Sequence, residues 1–243
     1  MRQDLTALSY WFPKIEAAGV PVPRTVLLDM QRAAQECVFA AFDGDSGPDN
    51  GSALTTFLDE IDAAAKTVGG YPFFLRSDHT SGKHNWDKNC FVQTPEALSR
   101  HIFGIVEYSE MAGVLGLPWD RWAVSEFLPT IPLGVCPGFG DMPICKEFRF
   151  FVEDGKVRCW HPYWPEHALE QGEAPDDLDF EALCRMDDEH ALRALAEAAG
   201  RAVGGSWSID ILETKRGWFV TDMAEAHKSF HWEGCEHEHA TAD

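Results

Sequence analysis

The sequence contains no run of about 18 consecutive apolar residues, the minimum for a helix that crosses a bilayer, and its start, MRQDLTALSYWF, has no basic segment ahead of an apolar one. Membrane spanning and export are therefore not expected, and a cytoplasmic location is. Paired cysteines are also missing. The seven cysteines are an odd number at irregular spacings with no C-x-x-C pair, which argues against a disulfide framework and for reduced thiols. Positive charge is scarce. Twenty Lys and Arg against 40 Asp and Glu give a formal charge of -20, which repels phosphate backbones and disfavours nonspecific nucleic acid as a partner. Neither the Walker pattern G-x-x-x-x-G-K-[ST] nor the Rossmann pattern G-x-G-x-x-G occurs, so the two commonest nucleotide fingerprints are absent.

Apolar material is plentiful. Hydrophobic residues make up 45% of the 243 residues, with 9 Trp and 16 Phe, so a folded core is expected in one or two domains. In so acidic a chain, the places where the few cations converge carry the functional information.

Along the chain, a helix is expected over Gln3–Ala18, ended by Gly19, followed by a strand at Thr25–Leu28 after Pro21 and Pro23. Asp43–Ser52 reads as a surface loop. Two short strands, YPFFLRSD and CFVQ, flank the polar, glycine-containing loop SGKHNWDKN, which reads as a flexible flap able to offer N–H groups and Lys83 to phosphate. A further strand, WAVSEFL, ends at Pro129. Asp154-Gly155 marks a tight hairpin turn, and a second hairpin is expected to turn at Lys215–Gly217. Acidic, Pro-bearing sequence over Glu166–Asp179 reads as loop. The helix after it places Leu192, Leu195, Ala196, Ala199 and Val203 on one face. Strands and helices together give an α+β chain.

Strand alternation then sorts the chemistry. In WSIDIL, Trp207, Ile209 and Ile211 share one face, while Ser208, Asp210 and Leu212 share the other. Asp210 and Asp222, at neighbouring strands, need a cation where they are buried, supplied either by a divalent metal with phosphate or by a buried Arg, and solvated surface-facing acids are the alternative. Arg76, Lys83, Lys146 and Arg149 lie in or just after strands, where solvated cations are not the default. Glu147 and Arg149 share a face, so an ordinary ion pair between them is the alternative to a functional arginine. Trp160, His161, Tyr163, Trp164 and His167 form an aromatic cluster suited to a substrate pocket or to core. His227, His231, Cys235, His237 and His239 in the tail offer zinc ligands, but at spacings that fit no structural zinc pattern, and a solvated acidic tail is expected.

Five pieces, AAGVPVPRT, FFLRSDHTSGKH, WAVSEFLP, KEFRFFVEDGKV and WSIDILETKRGWFVTDMAEA, occur in an order that resembles the ATP-grasp superfamily, most closely its short branch with two arginines and a lysine at the nucleotide. The resemblance implies an α+β ATP-grasp fold in which two subdomains, 71–128 and 129–243, clasp a nucleotide after a reduced N-terminal region, 1–70. It implies Arg76, Lys83 and Arg149 as the catalytic phosphate-contacting cations. It further implies that Ser125–Leu128 acts as the hinge, with Glu126, Phe127 and Leu128 beside the adenine and Glu126 accepting from adenine or ribose. The resemblance also implies that Asp210 and Asp222, with Glu225, hold Mg2+. Glu225 stands in because Ala224 occupies the position where the family carries Asn.

The implied activity is ATP-dependent ligation of a small-molecule or peptide carboxylate to an amine, through an acyl phosphate. A kinase-like phosphotransferase, a non-catalytic nucleotide-binding module and a purely structural acidic protein are the rivals.

Overall fold

The computed structural model describes residues 4–45, 47, 51–112 and 114–232. The chain divides into two compact units, Arg24–Phe127 and Met1–Pro23 with Leu128–Asp243. This differs from the three segments expected from the sequence. Residues 24–70 pack with 71–127, because the strand after Pro23 enters that sheet, whereas the first helix packs against a late one.

That first helix, α1 (Leu8–Ala17), buries Leu8, Trp11, Phe12 and Ile15 along one stripe. It starts later than expected. Asp4 Oδ1 accepts from the Thr6 amide (3.0 Å) and hydroxyl (2.7 Å), a local turn that competes with helix. Gly19, at φ 74°, follows its end.

In the Arg24–Phe127 unit, β1 (Thr25–Asp29) is followed by α2 (Arg32–Phe42) and α3 (Ser52–Val68). Of the intervening acidic loop, residues 46 and 48–50 lie outside the described residues. Next come β2 (Phe73–Ser77), β3 (Phe91–Val92), α4 (Leu98–Met111) and β4 (Arg121–Glu126). The four strands form an antiparallel sheet in the order β1-β4-β2-β3. Phe73, Leu75, Val92, Trp122 and Val124 join the core built with α2, α3 and α4. Alternation therefore turns Phe74, Arg76, Ala123 and Ser125 to the other face.

The second unit opens with a ribbon of β5 (Pro132–Cys136) and β6 (Met142–Cys145). Its main sheet contains β7 (Glu147–Glu153) and β8 (Lys156–Pro162), joined through Asp154 and Gly155, both at positive φ as a two-residue turn demands. After α5 (Glu166–Gln171), α6 (Phe180–Cys184) and α7 (Glu189–Val203) come β9 (Ser206–Thr214) and β10 (Gly217–Glu225), giving the antiparallel order β10-β9-β7-β8. The loop expected from Glu166 begins instead as α5. Pro165 caps it and Glu166 lies in its first turn, where an acid suits the helix dipole.

Asp188 caps α7 by accepting from the Ala191 amide, and α7 buries Leu192, Ala196, Ala199 and Gly200 over the apolar sheet face with α1 beside it. Leu195 and Val203 sit half-buried at the edge of that stripe. Phe148, Phe150, Trp207, Ile209 and Ile211 on the sheet are all nearly inaccessible. Among the described residues no helix is long and apolar enough to cross a membrane.

Candidate functional site

The opposite face of the second sheet is polar, and one row of it crosses all four strands. His161 on β8 opposes Arg149 on β7, Arg149 opposes Asp210 on β9, and Asp210 opposes Asp222 on β10. Directly opposite residues share a face, so the ladder register alone assembles the row.

Asp222 reaches that face through a β-bulge. Val220 opposes Ile211 on the apolar face, and simple alternation from Val220 would return Asp222 to that same face. Thr221 is the extra residue. Its hydroxyl donates to Glu147 Oε1 (3.1 Å) and approaches the Asp210 carbonyl (3.4 Å), and Asp222 then falls opposite Asp210.

Arg149 donates from Nε to Asp210 Oδ1 (2.7 Å) and from Nη2 to Asp210 Oδ2 (2.8 Å). Of the two solutions open for Asp210, the buried arginine is the one present. Their side chains are 19% and 4% exposed, so the Asp210 charge depends on Arg149 in place of bulk water. Burial acts to lower the Arg149 pKa, but the charge and hydrogen bonds of Asp210 override it and hold the guanidinium above its ordinary value. The fork uses only some of the arginine's N–H donors, and the others remain suited to phosphate oxygens. Tyr163 offers its ring 5.0 Å from the guanidinium carbon.

Glu225, at the end of β10, lies opposite Trp207 on the apolar side of the alternation, so the register does not bring it to the row of Asp210 and Asp222, and it pairs instead with Lys228 (2.6 Å). Lys146 lies on the apolar side of the alternation and reaches Asp187 (3.0 Å). The aromatic cluster divides in the same way. Trp160 packs on Phe148 and Phe150 and Trp164 is buried, whereas Tyr163 and His161 stand on the polar face. His167 contacts Phe230 (5.5 Å).

In the Arg24–Phe127 unit, Arg76 is buried on the sheet face away from the helices, opposite Ala123. Lys83 begins a single 3-10 turn, Lys83–Asn85. Both cations are close enough to Cys90 to oppose the burial that pushes its thiol up to about 12, and Lys83 adds to the burial that lowers the His84 pKa.

The expected flap is fastened. Asn89, 1% exposed, donates to the Gly82 carbonyl (3.0 Å), and its own carbonyl meets His101 Nδ1 (2.8 Å). A side chain on Gly82, at φ 58°, would strike the Asn89 amide. The hinge residues separate by alternation. Phe127 packs against Phe91 (4.8 Å) and Trp86 (6.2 Å). Glu126 opposes the core residue Phe73, and its carboxylate takes the Arg24 amide (3.0 Å), Nε (3.2 Å) and Nη2 (3.0 Å). Leu128 is buried and opens the other unit.

Arg24 was missed as a partner for Glu126. Its only signal was a cation placed between Pro23 and a strand. A cleft of about 730 Å3 bordered by Asn85, Lys88, Arg100, Phe103, Tyr108 and Met111 contains none of the expected site residues.

A third polar group stands beside the row. Cys159 Sγ lies 3.1 Å from His231 Nε2, and the His161 and His231 rings are 4.5 Å apart. His231, a tail histidine, is brought to this face. Cys235, His237 and His239 lie outside the described residues. Burial, reinforced by the nearby charges of His231 and Arg149, lowers the His161 pKa to about 4.

No protein-family model matches the sequence, and neither does any curated protein. Solved structures do match. Truncated Cdc123 from Schizosaccharomyces pombe aligns at 12% identity over 90% of this chain and 83% of its own, with a TM-score of 0.54. N5-carboxyaminoimidazole synthetase from Staphylococcus aureus, complexed with ADP, aligns at 12% identity and a TM-score of 0.52. The synthase from Aspergillus clavatus, in complex with ADP and 5-aminoimidazole ribonucleotide, aligns at 10% and 0.53. This chain spans 46% of each of the latter two and over 90% of itself is covered. The fold is the α+β ATP-grasp fold.

Proposed function

We infer that the chain is an ATP-dependent ligase of the carboxylate–amine type. The observation that carries this reading is the Arg149–Asp210 pair with Asp222 directly opposite: a fixed guanidinium beside paired carboxylates. A carboxylate oxygen of the substrate attacks the terminal phosphorus of ATP, breaking its bond to ADP and giving an acyl phosphate. The amine nitrogen of the second substrate then attacks the acyl carbon. Phosphate leaves with the C–O electron pair, and the nitrogen loses a proton. No protein nucleophile is needed, and positioning and charge neutralisation supply the catalysis.

In this reading the donors of Arg149 not used by Asp210 bind the transferring phosphoryl oxygens, while Arg76 and Lys83 bind phosphate oxygens from their own unit. Asp222 and Asp210 offer an all-oxygen donor set that fits Mg2+. Magnesium, when bound, supplies positive charge to the phosphates. Asp210 is already neutralised by Arg149, so Asp222 carries the metal affinity. Phe127, with Phe91 and Trp86, gives an apolar surface suited to a base, whereas the Glu126 side chain serves Arg24. Small-molecule or peptide carboxylates and amines are the substrate class, in keeping with the aminoimidazole ribonucleotide bound by the Aspergillus clavatus synthase.

The test is ADP release across a panel of carboxylates with and without amines, for the native chain and Arg149→Lys. Release that needs both substrates, reduced about tenfold or more in Arg149→Lys, is expected, because lysine keeps the charge and loses the fork. Release with a hydroxyl acceptor and no amine would replace the ligase with a phosphotransferase. Equal turnover in Arg149→Lys would remove Arg149 from the chemistry.

A further inference from the structure

Cys159 and His161 are two residues apart on β8, so their side chains share the polar face, and His231 arrives from the segment that follows the turn Ala226–Lys228. One donor atom from each of the three lies within 4.8 Å of the others. Tetrahedral zinc with one sulfur and two nitrogens needs donor separations of about 3.3–3.6 Å. Small side-chain rotations therefore bring this trio to coordination distance.

Two further observations point to a missing ligand. His161 Nε2 is buried and has no hydrogen-bond partner among the described residues, a condition that costs free energy unless something occupies the nitrogen. His231 Nδ1 lies 3.4 Å from the Trp232 carbonyl, an arrangement that keeps the proton on Nδ1 and turns the Nε2 lone pair toward Cys159. The surroundings hold both rings in place. His161 stacks on Trp232 with only 4° between planes, His231 packs 4.2 Å from Phe151, and Ser229 is hydrogen-bonded to Ser208 on β9.

We propose that Cys159, His161 and His231 form a transition-metal site of the zinc class, separate in chemistry from the oxygen donors Asp210 and Asp222. One thiolate and two imidazoles select Zn2+ over Mg2+ or Ca2+. Three protein ligands leave the fourth position of a tetrahedron open to water or another donor. Because His231 comes from beyond the last strand, the bound metal ties the segment around Ser229–Trp232 to β8, next to the strand of Arg149.

The experiment uses the full chain, stripped with a chelator and titrated with Co2+ as the probe for zinc. A thiolate-to-cobalt charge-transfer band saturating near one equivalent is expected, displaced by Zn2+ and unaffected by excess Mg2+. Cys159→Ser should abolish the band, His231→Ala should weaken Co2+ binding about 100-fold or more, and Cys235→Ser should leave both unchanged. Circular dichroism of the metal-free variants checks folding. If Cys159→Ser fails to fold, His231→Ala, at a partly exposed position, decides the matter. Absence of binding, a band that survives in Cys159→Ser, undiminished affinity in His231→Ala or loss of the band in Cys235→Ser would overturn the proposal.

Discussion

Both units cover one face of a four-stranded antiparallel sheet with helices, yet they fix their polar residues by different means. In the second unit, strand register does the positioning. His161, Arg149, Asp210 and Asp222 are neighbours because four strands hydrogen-bond in one alignment, and the central pair is ionic. In the Arg24–Phe127 unit, a neutral amide does it. The Asn89 side-chain amide fastens the loop carrying Lys83 through the Gly82 carbonyl, and its main-chain carbonyl meets His101. A ladder transmits position over four strands at the expense of burying charge, whereas an amide latch fixes one loop and leaves its cation half-exposed.

The contrast makes the second unit the more vulnerable to single substitutions. Arg149→Ala leaves Asp210 buried without its ion partner and should destabilise by about 3–5 kcal/mol, read from urea unfolding. Arg149→Met combined with Asp210→Leu should recover most of that loss while nucleotide turnover stays absent. A double variant as unstable as Arg149→Ala would mean that packing, not charge, governs the row. In the Arg24–Phe127 unit the expected effect is smaller. Asn89→Ala should cost about 1–3 kcal/mol, and adding Gly82→Ala should add less than its own separate effect, because both act through one contact.

The latch also makes that unit sensitive to acid. Burial lowers the His101 pKa below its ordinary 6.5, overriding the Asn89 carbonyl that favours the charged ring. The unfolded chain therefore takes up the proton first. Stability due to His101 is fully present above pH 6.5 and declines as pH falls through the lower folded value. Unfolding measured against pH should show a shallower acid slope in His101→Gln than in the native chain, and an equal slope would remove His101 from the latch. The smallest effect on stability belongs to Lys83→Ala. It should change stability by no more than about 0.5 kcal/mol while weakening ATP affinity, as calorimetry with nucleotide would report.

The same contrast explains what was legible in the sequence. Alternation in WSIDIL and KEFRFF separates the polar face from the apolar one, and Asp154-Gly155 declares its hairpin, so Arg149 and Asp210 stand out before any coordinates. Their pairing does not, because register between β7 and β9 is a long-range property. Asp222 is harder still. Its parity matches Val220, and only the bulge at Thr221 turns it to the polar face. Arg24 and Glu126 meet across 102 positions, and no local pattern relates them. Asn89 reads as one polar residue among many in SGKHNWDKN, and its burial depends on Gly104 of α4 passing close by. Helix α5 was hidden by Pro165 and the acids after it, which suit a helix start as well as they suit a loop.

The central claim is that the Arg149–Asp210–Asp222 row is the phosphate and metal end of a nucleotide site. It is tested most directly by the rise in melting temperature that ATP produces with and without Mg2+, in the native chain and in Asp222→Asn. Asp222 is the acid to change because Asp210 also serves Arg149. The account predicts a rise that requires Mg2+ in the native chain, and a variant with the native melting temperature in the absence of nucleotide but little or no rise with Mg2+ and ATP. An equal, Mg2+-dependent rise in Asp222→Asn would contradict it.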